Sequence, residues 1–253
     1  MTMNQADKEI RTNFYEGNDF RFDKLYSQAG LSQGFWIKSK SSDILIDCGD
    51  GILRDVISKG FNFKALDAIL ITHGHFDHMG GLYSLLCFFR MIGRKKKLPI
   101  IFPAKSKEIL AVIETFQNLY EDSTSYEIDL IEAEDRQISK ISDIEIESVY
   151  VRHCGSIDGG PKGESQILDP IPAIGFRIKI GNEILGISGD TGYTQGLEYI
   201  AKNADLAIIE ATFPDSDRQS DEMLTNVHLN HQLARKAGEL AKNYFLCHKI
   251  LHR

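Results

Sequence analysis

Six consecutive residues, His73-Gly74-His75-Phe76-Asp77-His78, carry four groups able to ligate a metal ion. They follow the apolar run Ala68-Ile69-Leu70-Ile71-Thr72, which reads as a buried strand, and precede Met79 to Leu86, which reads as the opening of a helix. Chemistry in α/β folds sits at such strand ends. In an extended loop residues i and i+2 point the same way, so His73 and His75 can present imidazoles to one ion while Asp77 and His78 turn toward a second. Imidazole with carboxylate suits zinc, manganese or iron and does not suit calcium. A loop of solvated polar side chains would explain one such histidine, but four ligand groups in register behind a buried strand point to a metal.

Later stretches repeat the arrangement of a strand edge followed by a ligand. Ile144 to Val151 alternates as a strand and ends in Arg152-His153, so His153 can enter as a third imidazole. Glu183 to Ile187 ends in Ser188-Gly189-Asp190-Thr191-Gly192, a Gly-flanked turn where Asp190 is placed to bridge two ions or, failing that, to cap the helix near Thr194 to Lys202. Leu206 to Glu210 is a further strand with a carboxylate at its end. The C-terminal stretch Tyr244 to His252 reads as a short strand carrying two histidines, His248 and His252.

The elements around these residues follow from pattern. Residues up to Lys24 show no period, and Phe14, Tyr15, Phe20 and Phe22 mark an arm that packs. Gly34 to Ile37 and Ile44 to Asp47 read as strands, Ile52 to Lys59 as a helix ended by Gly60, and Leu66 to Thr72 as the strand behind the metal loop. A helix over Met79 to Met91, a strand at Pro99 to Phe102, a helix over Lys107 to Leu119 and a strand at Tyr126 to Ile131 follow. Gly155 to Pro172 is rich in Gly, Pro, Ser and Asp and reads as a loop that overhangs a site. Ala173 to Ile180 and Glu183 to Ile187 form a hairpin around Gly181-Asn182. A polar loop from Asp215 to Asn226 leads to Val227-His228-Leu229-Asn230-His231 and the helical pattern Leu233 to Lys242. The strands fall in two runs interleaved with helices, so an α/β domain of two packed sheets with helices outside is expected over residues 1–253.

Composition narrows the class. The chain has 253 residues, 42% of them hydrophobic, enough for one large core. No stretch approaches the ~20 apolar residues of a membrane span. Met1 to Arg11 is polar and mixed in charge, unlike a secretory signal. Cys48, Cys87, Cys154 and Cys247 are scattered, as expected of buried thiols in a reducing cytoplasm. A net charge of -7 is unlike that of a non-specific nucleic-acid binder. The run Arg90, Arg94, Lys95, Lys96, Lys97, Lys105 and Lys107 reads as a solvated helix end rather than a polyanion site.

Taken together, His73-x-His75-x-Asp77-His78, the lone His153, Ser188-Gly189-Asp190-Thr191 and a late strand histidine resemble the metallo-β-lactamase fold superfamily. Within it, Pro172 to Ile178, Ser188 to Thr191, Ala204 to Phe213 and the helix His231 to Ala241 are similar to the ribonuclease Z branch. The resemblance implies a four-layer αβ/βα sandwich of two mixed β-sheets flanked by helices, with a centre of two divalent ions. His73, His75 and His153 would hold one ion, and Asp77, His78 and a final histidine the other. Asp190 would bridge them. His248 follows the better apolar strand, whereas His252 better matches the family's spacing. Glu210 and His231 fall where the branch places a carboxylate-histidine pair that assists proton transfer. Branch members are often dimers, so a homodimer is implied. Ribonuclease Z enzymes carry a long tRNA-clasping arm between the positions of His153 and Asp190, where this chain has only Gly155 to Pro172.

The expected chemistry is metal-assisted hydrolysis. Paired divalent ions, zinc first and manganese or iron next, lower the pKa of water toward ~7 and stabilise charge at an attacked phosphorus. Asp77 would orient the nucleophile, and His231, held by Glu210, would serve the leaving oxygen. The pair favours a phosphodiester substrate, RNA or a small nucleotide. The other readings are an acyl hydrolase acting on thioesters or lactones through the same centre, and a metal-binding protein without catalysis.

Overall fold

The computed structural model describes residues 8–157, 166–217 and 219–251. The first half of the chain builds a seven-stranded sheet from β1 (Phe14–Glu16), β2 (Phe20–Gln28), β3 (Ser32–Ser39), β4 (Asp43–Ile46), β5 (Leu66–Leu70), β6 (Leu98–Pro103) and β7 (Ile128–Ala133), hydrogen-bonded in that order. Its helices are α1 (Ile52–Ser58), α2 (Phe76–Met79), α3 (Leu82–Met91) and α4 (Lys107–Tyr120). The second half contributes β8 (Ile138–Ile141), β9 (Ile144–Tyr150), β10 (Cys154–Ile157), β11 (Gln166–Pro170), β12 (Ile174–Ile180), β13 (Glu183–Ile187), β14 (Leu206–Glu210) and β15 (Asn243–Cys247). With them come α5 (Gln195–Ala201), α6 (Asp221–Asn226) and α7 (His231–Gly238). The second sheet runs β15-β14-β13-β12-β9-β8, and β10 with β11 forms a separate ribbon.

Each sheet is antiparallel on one side and parallel on the other, the change falling at β4 in the first and β13 in the second. Parallel neighbours need crossovers, which the helices supply, and a sheet covered on both faces reads as unbroken apolar sequence. Thus Ile44, Ile46, Ala68 and Leu70 join Leu206, Ile208, Ile178 and Phe245 in the core between the sheets. Leu45, Ile69 and Ile71 face outward onto Ile52, Leu85, Phe89, Ile113 and Phe116 of the helices. Ala207 and Ile209 likewise pack on Leu197, Ala234 and Ala237. The outcome is the expected sandwich of two mixed sheets between helices.

Four local expectations are corrected. The N-terminal arm is two strands, and Asp23 stays buried within β2 because the Arg21 guanidinium binds both its oxygens (2.6 and 2.8 Å). The expected helix from Met79 is α2 and α3, broken at Gly80-Gly81. Gly155 to Pro172 is the β10-β11 ribbon, its inner residues 158–165 lying outside the described region. The polar loop before His228 contains α6, started by the Ser220 hydroxyl accepting the Met223 N–H at 3.1 Å.

The Gly80-Gly81 break lets the metal loop fold back on the end of β4. Gly81 N–H donates to the Cys48 carbonyl (2.8 Å) and Cys48 N–H to the His78 carbonyl (2.7 Å). Gly49 lies so close that a Cβ there would be 2.1 Å from the Asp77 carbonyl oxygen and 2.7 Å from the Gln33 nitrogen. Both are backbone atoms, so no rotamer change relieves the clash. Gly49→Ala is therefore expected to lower stability by about 1–3 kcal/mol, the usual range for overpacking. Urea unfolding measures it, and a change within experimental error would show that the loop can yield.

Candidate metal centre

Strand C-termini from both sheets converge on one place. From the first sheet, β5 leads through Thr72 to His73, and His75, Asp77 and His78 sit at the cap and first turn of α2. From the second, β9 delivers His153, β13 Asp190, β14 Glu210 and β15 His248. The sheets are stitched at this seam by the Ile174 N–H, which donates to the Thr72 carbonyl at 3.0 Å.

The ligand-type atoms fall into linked groups. His153 Nε2 lies 3.1 Å from His75 Nδ1, and with His73 they form one triad whose ligand atoms are within 4.8 Å of one another. Asp77, His78 and His248 form a second triad. In it His78 Nε2 and His248 Nε2 are 3.2 Å apart, and His248 Nε2 is 3.1 Å from Asp77 Oδ2. Asp190 Oδ2 stands between the groups, 3.9 Å from His73 Nε2, 3.3 Å from His78 Nε2 and 3.4 Å from His248 Nε2. His252 lies outside the described residues, and His248 occupies the position expected of the final histidine.

Outer partners assign the tautomers. His153 Nδ1–H donates to the Val227 carbonyl (2.8 Å) and His78 Nδ1–H to Asp47 Oδ2 (2.8 Å). The Thr72 hydroxyl donates to Asp47 and so accepts from His73 Nδ1–H at 3.1 Å. Thr212 Oγ1 donates to Glu210 Oε2 (2.9 Å) and accepts from His248 Nδ1–H (3.1 Å). Four Nε2 lone pairs are thereby aimed inward at each other and at two carboxylates. His73 Nε2 and Asp190 Oδ1 are moreover buried with no hydrogen-bond partner, an arrangement that is costly unless a cation accepts them. The donor set fits divalent metal ions of the zinc type.

Electrostatics agree. Burial, with neighbouring imidazoles, holds His73 well below its ordinary value and pulls His153 down to about 3, so both are neutral ligands. At His78 burial also favours the neutral form, but the Asp190 and Asp47 carboxylates outweigh it and push the pKa well above the usual range. Asp77 is held at about 2: burial opposes ionisation, and the His248 hydrogen bond and His78 overcome it. Asp190 is likewise held well below normal, its burial outweighed by His248 and His78. The pocket is a buried cage in which neutral His73 and His153 face the ionised Asp77 and Asp190, while Asp190 and Asp47 bias the metal-free His78 toward its protonated form.

The partner of Glu210 differs from expectation. His228 Nδ1–H donates to Glu210 Oε1 at 2.9 Å, with the Thr191 and Thr212 N–H groups (3.2 and 3.0 Å) holding the carboxylate. Burial lowers the His228 pKa and Glu210 more than restores it, leaving a net rise. His231 instead lies in a separate hollow with Pro214, Lys249 and Leu251. The cause is local: the Asn230 side chain accepts the Leu233 N–H (2.8 Å) and caps α7, which makes His231 the first helical residue and turns it away. His228 precedes the cap on extended chain and reaches the strand end.

His75, Asp77, His153, Asp190, His228 and His248 share a cavity of about 600 Å³ with the apolar side chains Phe76, Leu168, Phe213 and Met223. Cys154, Gly155 and Ser156 of the ribbon also line it, so this segment overhangs the centre as the sequence implied.

Comparison with known proteins places the whole arrangement. Ribonuclease Z of Myxococcus xanthus is 27% identical over 243 residues, covering 83% of this chain and 76% of that one. The short form of human tRNase Z superposes with a TM-score of 0.70 at 20% identity, over 91% of this chain and 92% of that structure. The metallo-β-lactamase fold protein YhfI of Bacillus subtilis gives 0.70 at 21%, over 93% and 88%. The model of the beta-lactamase superfamily domain matches residues 42–248, a span that holds every side chain of the cage. By that match, the chain belongs to the beta-lactamase superfamily domain family.

Proposed function

We propose that the protein is a metal-dependent phosphodiesterase, an RNase Z-like hydrolase acting on RNA or a small nucleotide. The observation that carries the reading is His228, held by the buried Glu210, lining the cavity beside the ligand cage. Two divalent ions, zinc by donor chemistry, would be held by His73, His75 and His153 on one side and Asp77, His78 and His248 on the other, with Asp190 shared. Their contribution is Lewis acidity, acidifying water near neutral pH and neutralising phosphoryl oxygens. Asp77, ionised and fixed by the Gly30 N–H at 2.8 Å, orients the attacking water. His228 uses Nδ1 on Glu210, which leaves Nε2 to give a proton to the leaving oxygen. The apolar wall of Phe76, Leu168, Phe213 and Met223 offers a face for the flat group next to the phosphate. The four free thiols, three of them buried, support a reducing cytoplasm as its setting. Among the described residues no helix is long and apolar enough to cross a membrane. A homodimer is the assembly this branch reading carries.

The test is metal content together with turnover on bis(p-nitrophenyl) phosphate and on a thioester panel. Two ions per chain, phosphodiester hydrolysis stopped by chelation and restored by zinc or manganese, and inert thioesters are expected. Thioester turnover without phosphodiester turnover would make the protein an acyl hydrolase, and ions without either activity would make it a binding protein.

A further inference from the structure

We infer that the tip of the β2-β3 hairpin is a dedicated brace for one half of the metal centre, with Ser27 and Gln33 as positioning residues. The inference rests on the two-ion reading above. Ser27 and Gln33 are cross-strand partners in this hairpin, beyond the β-bulge between Lys24 and Tyr26, and such partners share a face. Gln33 takes a position in line with Phe35 and Ile37 of the inner core and is 1% exposed, a place where an apolar residue is the ordinary choice.

Both ends of its amide are used. The Ser27 hydroxyl donates to Gln33 Oε1 (2.9 Å) and accepts the His248 N–H (2.8 Å). Gln33 Nε2 donates to Asp47 Oδ2 (3.4 Å), the oxygen that accepts from His78 Nδ1. One continuous chain therefore runs from the backbone of His248 through Ser27, Gln33 and Asp47 to the ring of His78. The same tip supplies the Gly30 N–H to Asp77 Oδ2, and Ala29 N–H (3.2 Å) and the Gln28 amide to the Lys249 carbonyl. Asp77, His78 and His248, the whole second triad, are held from this hairpin. In the other triad, His153 is held by the Val227 carbonyl, and His73 meets Asp47 only through the Thr72 hydroxyl.

Backbone conformation agrees with a brace. Asp47 (φ 55°) and His248 (φ 53°) leave their strands in the left-handed region, which few non-glycine residues adopt and which Asp and His tolerate best. The chain of hydrogen bonds starts at His248 and passes through Asp47 on its way to His78. The hairpin thus reaches three residues of the second triad but the first only at one remove, through Thr72 between Asp47 and His73, so the affinity of the second ion is the one it tunes most.

The test is a chelator-competition titration of zinc on the wild-type chain and on Gln33→Leu, Ser27→Ala and Ser27→Thr. Cobalt(II) spectra of His248→Ala mark the signature of a lost second site. Wild type should bind two ions. Gln33→Leu and Ser27→Ala should keep the first and weaken the second by about 10- to 100-fold, the effect usual for outer-shell partners, with a cobalt spectrum like that of His248→Ala. Ser27→Thr, which keeps the hydroxyl, should bind as wild type. Thermal unfolding of the metal-free proteins should be alike, and should Gln33→Leu not fold, Ser27→Ala decides. Two ions in wild type with equal weakening of both, or of neither, in the variants overturns the brace alone. Fewer than two in wild type overturns the two-ion reading and the brace with it.

Discussion

His228→Ala is expected to lower kcat on a phosphodiester by about 10²- to 10⁴-fold, the range for loss of a general acid, while both metal ions remain bound. The ring binds Glu210 at 2.9 Å, stands 3.9 Å from Asp190 and lies beside the His153 and His248 rings, whereas the two triads and Asp190 make up the cage without it. The loss should shrink with a substrate whose leaving group is a good anion, because such a group needs no proton. Glu210→Gln should reduce turnover less, since an amide can still accept from Nδ1 but supports no charge on the ring. His231→Ala, on the far side of the α7 cap, should be close to wild type. Metal analysis and steady-state kinetics on the three variants check this. Loss of an ion from His228→Ala would make that residue a ligand, and a large loss in His231→Ala would restore the sequence-based assignment.

Asp190→Ala should be more severe still: at most one ion per chain and turnover at background. Asp190 is 2% exposed and lies within 4 Å of Nε2 of His73, His78 and His248. Without it the inward lone pairs lose their shared anion, and the raised pKa of His78 loses a main support. Removing one partner of a buried charged pair costs about 3–5 kcal/mol, so the metal-free variant should also unfold at lower urea. Asp190→Asn separates charge from volume: it fills the same space, so any stability it loses is the part the charge carries, and it should still lose the ions. Two tightly held ions in either variant would show that Asp190 is not shared between them.

The residues that the fold gathers into the cage were legible in sequence where several shared one short loop, as in His73 to His78, or stood at a glycine-flanked strand end, as Asp190 does. His153 was legible as an isolated histidine behind an apolar strand, and the last position was open between His248 and His252. His228 and His231 stand three residues apart on either side of a helix start, and the difference between them is the Asn230 cap, whose effect on direction does not show in spacing. Ser27, Gln33, Thr72 and Thr212 were not legible as site residues. A polar residue at a strand position looks like a break in the apolar pattern until its partner, tens of residues away, is known. The β10-β11 ribbon was hidden for a related reason: Gly155, Pro170 and Pro172 are turn formers, and pairing across the segment overrode their local preference.

The cage draws on both sheets, and this gives the metal a place in the mechanics of the whole chain. His75 and His153 are 78 residues apart, and His78 and His248 are 170 apart. An ion gripping each pair closes a loop of that length, as a disulfide would. In the chain-entropy picture each closure alone is worth about 4 to 5 kcal/mol, though two closures over shared chain do not add. Cys48, Cys87, Cys154 and Cys247 are free thiols, so no disulfide does this work, and such inorganic clasps would take its role. Unlike a disulfide, they come undone when metal is scarce, so the lifetime of the folded enzyme becomes tied to the metal supply that also runs its chemistry.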